Sequence, residues 1–154
     1  MFIADYCRLN QQLVINTYPL PRIGETKQQL EGLQYETALD LNTRYYTIIL
    51  SHASQDMTTI VNEFGKLIYN LLPMGMCASG YILQAKVDEL LDDIKVSKTY
   101  IDNILVLSKD SYEKHIEHLR IIIGRLHAAS LKFNAPMCSF GLKEIPYLYY
   151  VTTR

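Results

Sequence analysis

Asp40 and Asp102 are the residues whose types and settings most invite chemistry. Asp40 interrupts the apolar run ALDL (38–41), where a lone carboxylate is costly to bury, so it is expected at a strand end facing a cleft or a cation. Asp102 stands beside Asn103, between the apolar runs VSKTYI and ILVLS, and poses the same question. Two acids presented from adjacent strands could share a pair of divalent ions about 3.5–4 Å apart, activating a hydroxyl and stabilising a departing phosphate. That is the geometry of phosphoryl transfer. Spacing alone favours a plainer alternative, in which Asp102-Asn103 is a good turn and Asp40 a solvated strand terminus.

Other reactive side chains promise less. His115 and His118 lie one helical turn apart, but no third ligand is within clear reach, and Glu113 and Glu117 point to an exposed, salt-bridged face. The acidic group Asp88, Glu89, Asp92 and Asp93 reads as a solvated helix face. Cys7, Cys77 and Cys138 are odd in number and far apart, which suits neither a disulfide framework nor a zinc site; reduced, mostly buried thiols are expected.

The elements that must position the two acids are legible from periodicity. Phe2 to Tyr6 reads as a strand, and Pro19 and Pro21 hold an extended stretch before a helix whose Ile23, Leu30 and Leu33 face inward. TALDL and YYTIIL read as two strands joined tightly around Asn42 to Arg44, and the segments around MTTIV and KLIYNLL continue the β character. From Ser79, Ile82, Leu83, Val87, Leu90, Leu91 and Ile94 recur at helical spacing. VSKTYI and ILVLS then form a hairpin turning at Asp102-Asn103, side chains that tolerate positive φ. A second helix runs from an N-cap at Ser111 to Ala129, with Ile116, Leu119, Ile123 and Leu126 on its apolar face, and SFGLKEIPYLYYVTT returns to strand. The order predicts an α+β fold, an antiparallel sheet with helices packed on one face.

Composition sets the outer bounds. The chain has 154 residues and 49% hydrophobic content, enough to build a core in one ordinary domain. With a net charge of −1 and both signs interspersed, no strong field draws a polyanion. No apolar run approaches the roughly 20 residues that span a bilayer, and no secretory leader pattern is seen, so neither secretion nor a membrane partner is expected; cytoplasm or nucleus is the default.

Taken together and in order, the motifs resemble the reverse transcriptases of gypsy-like long-terminal-repeat retrotransposons. DYCRLN (5–10) resembles the family's Asp-Tyr-Arg-x-Leu-Asn, YPLPRI (18–23) its Tyr-Pro-Leu-Pro-Arg-Ile, and LDLNTRYY (39–46) its Leu-Asp-Leu-x-x-Gly-Tyr. FGKLIYNLLPMGMCAS (64–79), TYIDNILVLSK (99–109, the Tyr-x-Asp-Asp box) and HIEHLRIIIGRLHAASLKFN (115–134) follow, and KEIPYLYYVTTR is similar to the start of the primer grip. The resemblance implies a partial fingers and palm of a right-hand polymerase over residues 1–154, one unit incomplete at both ends. It implies an RNA-directed DNA polymerase using two Mg2+ or Mn2+ ions, a primed RNA or DNA template and a dNTP, with other parts of a retroelement polyprotein as partners. By the same resemblance, Asp40 and Asp102 are the metal-binding carboxylates and, with Asn103, the catalytic positions; Tyr45 is the gate against ribonucleotides. The backbone from Leu41 to Arg44 would cradle the triphosphate, Gln84 would touch the incoming nucleotide, and Tyr100 would lie near the primer terminus.

Several positions depart from the family pattern. Asn103 replaces the second acid of the box and removes one negative charge from the metal site. Arg44 replaces a glycine before the gate tyrosine and is expected to obstruct the pocket; Gly80 and Leu83 replace a proline and a phenylalanine, and Tyr149 a glycine of the primer grip. Activity is therefore expected to be weak or lost, and a non-catalytic remnant or interaction module is the alternative.

Overall fold

Strand β1 (Tyr35–Asn42) alternates side chains between two faces, Thr37, Leu39 and Leu41 on one, Glu36, Ala38 and Asp40 on the other. The computed structural model describes residues 4–20, 33–42, 44–142, 146–147 and 150–151. β1 pairs antiparallel with β5 (Asn103–Ser108), from Tyr35 opposite Ser108 to Asp40 opposite Asn103. On the far side of β5 lies β4 (Ser97–Tyr100), completing a hairpin in which Tyr100 faces Asn103. The other edge of β1 is shared by β6 (Lys132–Phe133), opposite Leu41 and Asn42, and β7 (Ser139–Leu142), opposite Glu36 and Ala38.

Two helices cover one face of this sheet. α3 (Ser79–Leu91) brings Leu83, Val87 and Leu91, and α4 (Tyr112–Ala128) brings Leu119, Ile122 and Leu126, against Leu39 and Leu41 of β1 and Ile104 and Val106 of β5. Each such side chain taken out of water contributes about 1.5–3 kcal/mol, so this layer is the main source of stability. The opposite face carries a smaller cluster, Leu33, Leu105 and Leu107, with Ala38 and Tyr100 beside it. Arg125 of α4 donates to the Leu90 carbonyl (3.0 Å) and pairs with Asp93, joining the two helices where α3 ends.

The remaining elements form a second group. α1 (Cys7–Asn10) precedes the sheet in sequence; α2 (His52–Met57) is N-capped by Ser51, whose Oγ accepts the Ser54 N–H; β2 (Ile60–Asn62) and β3 (Gly65–Leu67) make a short hairpin. The DYCRLN segment is tied to this group. Tyr6 is buried and donates its hydroxyl to the Thr58 carbonyl (3.2 Å), while the Asn10 carboxamide donates to Gly75 O and accepts from Cys77 N–H, each at 2.9 Å. One further antiparallel pair, β8 (Pro146–Tyr147) with β9 (Tyr150–Val151), ends the described chain. Among the described residues no helix is long and apolar enough to cross a membrane.

The α+β class, the antiparallel sheet and the helices on one face agree with expectation. Several details differ. Residues 4–6 are not strand and Cys7–Asn10 is helical; the helix expected after Pro21 and the turn at Tyr149 lie outside the described residues. YYTIIL is not a strand: Arg44–Thr47 is a 3-10 turn, after which Ile49 makes a single bridge to Leu71. Its aromatic and β-branched residues suit a pleated surface, but among the described residues the pairing there is one bridge long, closed by Leu50 N–H to the Asn70 carbonyl (2.9 Å) and Leu72 N–H to the Ile48 carbonyl (2.8 Å). On α4 the packed centre is Ile122 rather than Ile123, and His115, expected at the exposed face, is fully buried. Cys7 is exposed and Cys77 and Cys138 are only half-buried, so the thiols are free but not mostly buried.

Candidate active site at the hairpin tip

Paired residues of an antiparallel sheet point the same way. The pairs Asp40 with Asn103 and Tyr100 with Asn103 therefore set Asp40, Asn103 and Tyr100 in one row across β1, β5 and β4, on the face away from α3 and α4. Asp102 belongs to the two-residue turn at the end of that row and is 8% exposed. Its carbonyl accepts the Leu41 N–H at 2.8 Å, fastening the turn to the residue after Asp40. The fold thus brings both acids to the same end of adjacent strands.

Asp40 is held from its other side as well. Its carbonyl accepts the Asn134 N–H (2.8 Å), and its own N–H is donated to the Cys138 sulfur (3.4 Å), which in turn donates to the Asn134 carbonyl (3.4 Å). A thiol therefore stands where a ladder carbonyl would ordinarily accept, at the irregular stretch between β6 and β7. Nothing in the motif pattern pointed to Cys138.

The other expected residues are placed unequally. Tyr45 lies in the 3-10 turn directly after β1, half-buried against the helix-side core. Arg44 opens that turn, and the expectation about its side chain lies outside what is described. Leu41 buries its side chain in the core and spends its N–H on Asp102, so that N–H is not directed at a ligand. Tyr100 packs beside the smaller cluster. Gln84 is fully buried with its carboxamide engaged: Oε1 accepts the Ile101 N–H (2.6 Å), and Nε2 donates to Thr99 Oγ1 and Asp88 Oδ1, each at 2.8 Å. It supports the hairpin tip from the helix side instead of presenting an amide to the cleft. Asp88, expected on a solvated face, also accepts from the Thr99 hydroxyl and faces the Tyr18 hydroxyl, whose pKa is raised by burial and by the Asp88 charge. The four-residue spacing of Gln84 and Asp88, which puts both on one helix face, was the available signal for this pair.

The hairpin turns one residue earlier than expected. The turn residues are Ile101 and Asp102, and Ile101 has φ +55°. The oxygen-only set of Asp40, Asp102 and Asn103 suits a hard divalent cation. It is sparse for two ions: among the described residues no three His, Cys, Asp or Glu side chains gather. Water and a ligand's phosphates would have to complete any coordination.

Residues 3–151 match the reverse transcriptase (RNA-dependent DNA polymerase) family. The chain belongs to that family. It is 31% identical over 153 residues to the retrovirus-related Pol polyprotein from transposon opus of Drosophila melanogaster, covering 98% of the chain and 15% of that polyprotein. In fold it is similar to the foamy viral protease-reverse transcriptase in complex with an RNA/DNA hybrid (TM-score 0.84, 21% identity, 96% of the chain and 20% of that protein). The same viral protein in complex with double-stranded DNA aligns with TM-score 0.85 at 19% identity, over 98% of the chain and 26% of that protein. The chain thus spans only a small part of the length of the relatives it matches.

Proposed function

We infer that this domain descends from an RNA-directed DNA polymerase that extends a primer by two-metal nucleotidyl transfer, with turnover weakened in this copy. The observation that carries the reading is the placement of Asp40 and Asp102 at one end of adjacent strands, beside Asn103. Asp40, Asp102 and the Asn103 amide oxygen would hold Mg2+ or Mn2+. When bound, such ions lower the pKa of a primer hydroxyl and neutralise charge on the departing pyrophosphate. The protein's own contribution is to fix the carboxylates: Asp40 through both of its backbone groups, Asp102 through Leu41 and the Gln84 network. Tyr45 would border the sugar of an incoming dNTP, and Tyr100 the primer end.

Two features reduce expected turnover. Asn103 supplies a neutral ligand where a second dication needs charge, and no other acid gathers there among the described residues. A primed RNA or DNA strand is the proposed partner, supported by what the foamy viral neighbours bind.

The test is primer extension on an RNA template with Mg2+ or Mn2+. Extension should be weak in the natural chain and absent in Asp40→Ala. It should rise about 10–100-fold in Asn103→Asp, the scale on which supporting groups act on a metal site. No extension even in Asn103→Asp would favour the alternative, a non-catalytic remnant or interaction module of a retroelement polyprotein.

A further inference from the structure

A β-branched residue at φ +55° is out of place, because its Cβ crowds the backbone and the conformation costs roughly 1–2 kcal/mol. Two-residue hairpin turns that need positive φ at their first central position ordinarily use glycine there. Ile101 occupies it instead, and its neighbour in the turn is Asp102. Something outside the hairpin must hold this tip.

We propose that Gln84, fixed by Thr99 and Asp88, is the positioning residue that holds Ile101 in the left-handed conformation and thereby sets where Asp102 stands. Four observations converge. Gln84 Oε1 accepts the Ile101 N–H at 2.6 Å, a short bond to the strained residue itself. The Gln84 Nε2 end is anchored by Thr99 Oγ1 and Asp88 Oδ1, and the Thr99 hydroxyl closes the triangle onto Asp88, so the carboxamide can neither flip nor swing away. Gln84 is 0% exposed among Leu83, Val87 and Leu91, a setting that tolerates a carboxamide only when both ends are satisfied. The Ile101 side chain packs against the helix-side core, with Cδ1 reaching toward Gly80, and the Leu41 N–H holds the next carbonyl. Backbone bond, anchored acceptor and packed side chain together over-determine the conformation, which is the condition under which strain persists beside a site.

The arrangement has a direct consequence for Asp102. Without the Gln84 acceptor, Ile101 would relax toward negative φ and carry the following residue with it. Gln84 then acts on metal binding at a distance, through backbone and not by touching a ligand. That consequence rests on the polymerase reading; the effect on the tip does not.

The test separates the two by measuring them independently on the full chain. Carbon-13 shifts of Ile101 report its φ, and its amide exchange reports the bond to Gln84. In Gln84→Met, of similar length but without the acceptor, the left-handed shifts should be lost and Ile101 exchange should rise about tenfold, a single hydrogen bond's worth. The double substitution Gln84→Glu with Asp88→Asn exchanges donor and acceptor within the network and should restore both signals. Met at 84 with unchanged Ile101 shifts and slow exchange would overturn the proposal, as would failure of the double variant, with an unaltered melting temperature, to restore them. A Mn2+ titration is run beside this. Weakening by about tenfold in Gln84→Met, with rescue in the double variant, extends the proposal to the metal site. Binding in the natural chain that Asp40→Ala does not weaken would sink the polymerase reading while leaving the tip result to stand or fall on its own.

Discussion

His115 shows at the scale of one residue how burial fixes a protonation state. Its ring is fully buried, with Nε2 2.8 Å from Thr37 Oγ1 on β1 and Nδ1 2.8 Å from Ser108 Oγ on β5. Thr37 Oγ1 also accepts the Gly141 N–H (3.0 Å), and in the tautomer with the proton on Nδ1 the ring accepts from Thr37 at Nε2 and donates to Ser108 from Nδ1. A second ring proton would make Nε2 a donor and require the Thr37 hydroxyl to turn its own proton away. Burial lowers the His115 pKa below its ordinary 6.5, and the neighbouring His118 lowers it further. The unfolded chain therefore takes up this proton first. Stability from neutral His115 is complete above about pH 6.5 and declines as pH falls from there toward the lower folded value, beyond which this residue adds no further loss. Denaturant unfolding from pH 7.5 to 5 should show the decline in the natural chain and a flatter profile in His115→Gln. That variant should start about 1–3 kcal/mol less stable, since two buried hydroxyls lose their partner. Parallel profiles would remove His115 as the cause. Periodicity placed this histidine one turn from His118 on a helix, but only the sheet beneath shows which of the two is enclosed.

At the scale of elements, α4 offers a clean test of the helix layer. Gly124 lies within it, exposed, and an added Cβ would meet nothing within 4 Å. Glycine inside a helix costs about 0.5–1 kcal/mol relative to alanine, so Gly124→Ala should raise the unfolding free energy by that amount, moving the midpoint up without altering the denaturant slope. A lowered midpoint would mean this surface is covered. The helices were readable because their apolar residues recur every three or four positions over 13 and 17 residues. What the period could not resolve was phase: Ile122 and Gln84 proved central where Ile123 and Ile82 were expected, because Ile82 is 37% exposed and the buried carboxamide is paid for by partners on another strand. The hairpin turn failed for a related reason. Asp-Asn is the better local turn, yet Ile101-Asp102 forms it, since the acceptor that makes positive φ tolerable at Ile101 comes from Gln84, 17 residues earlier in the chain.

For the whole molecule, the distribution of burial predicts an order of opening. β1 and β5 lie at the centre, with Leu39, Leu41, Ile104, Leu105 and Val106 at most 1% exposed, whereas the β2–β3 hairpin leaves Val61 and Phe64 each 81% exposed. The two regions share a chain but not a core: the acids stand on the central strands, and the peripheral hairpin has little apolar burial to resist local opening. Native-state amide exchange should therefore be slowest through Ile104–Val106, near the global unfolding limit, and faster in Ile60–Leu67 by roughly a hundredfold or more. Asp40 gives a finer point within the same measurement. Its N–H is donated to the Cys138 sulfur, a weaker acceptor than a carbonyl, at an edge shared by two short strands. Its amide should exchange faster than that of Leu39 while still requiring the sheet to open. Should Asp40 instead be as protected as Ile104, the thiol contact would not be the limiting bond there. Cys138→Ser, which puts a stronger and shorter-reaching acceptor in place, separates these cases: slower Asp40 exchange identifies the sulfur as the weak partner, and an unchanged rate shows that the β6–β7 edge opens as a unit around it.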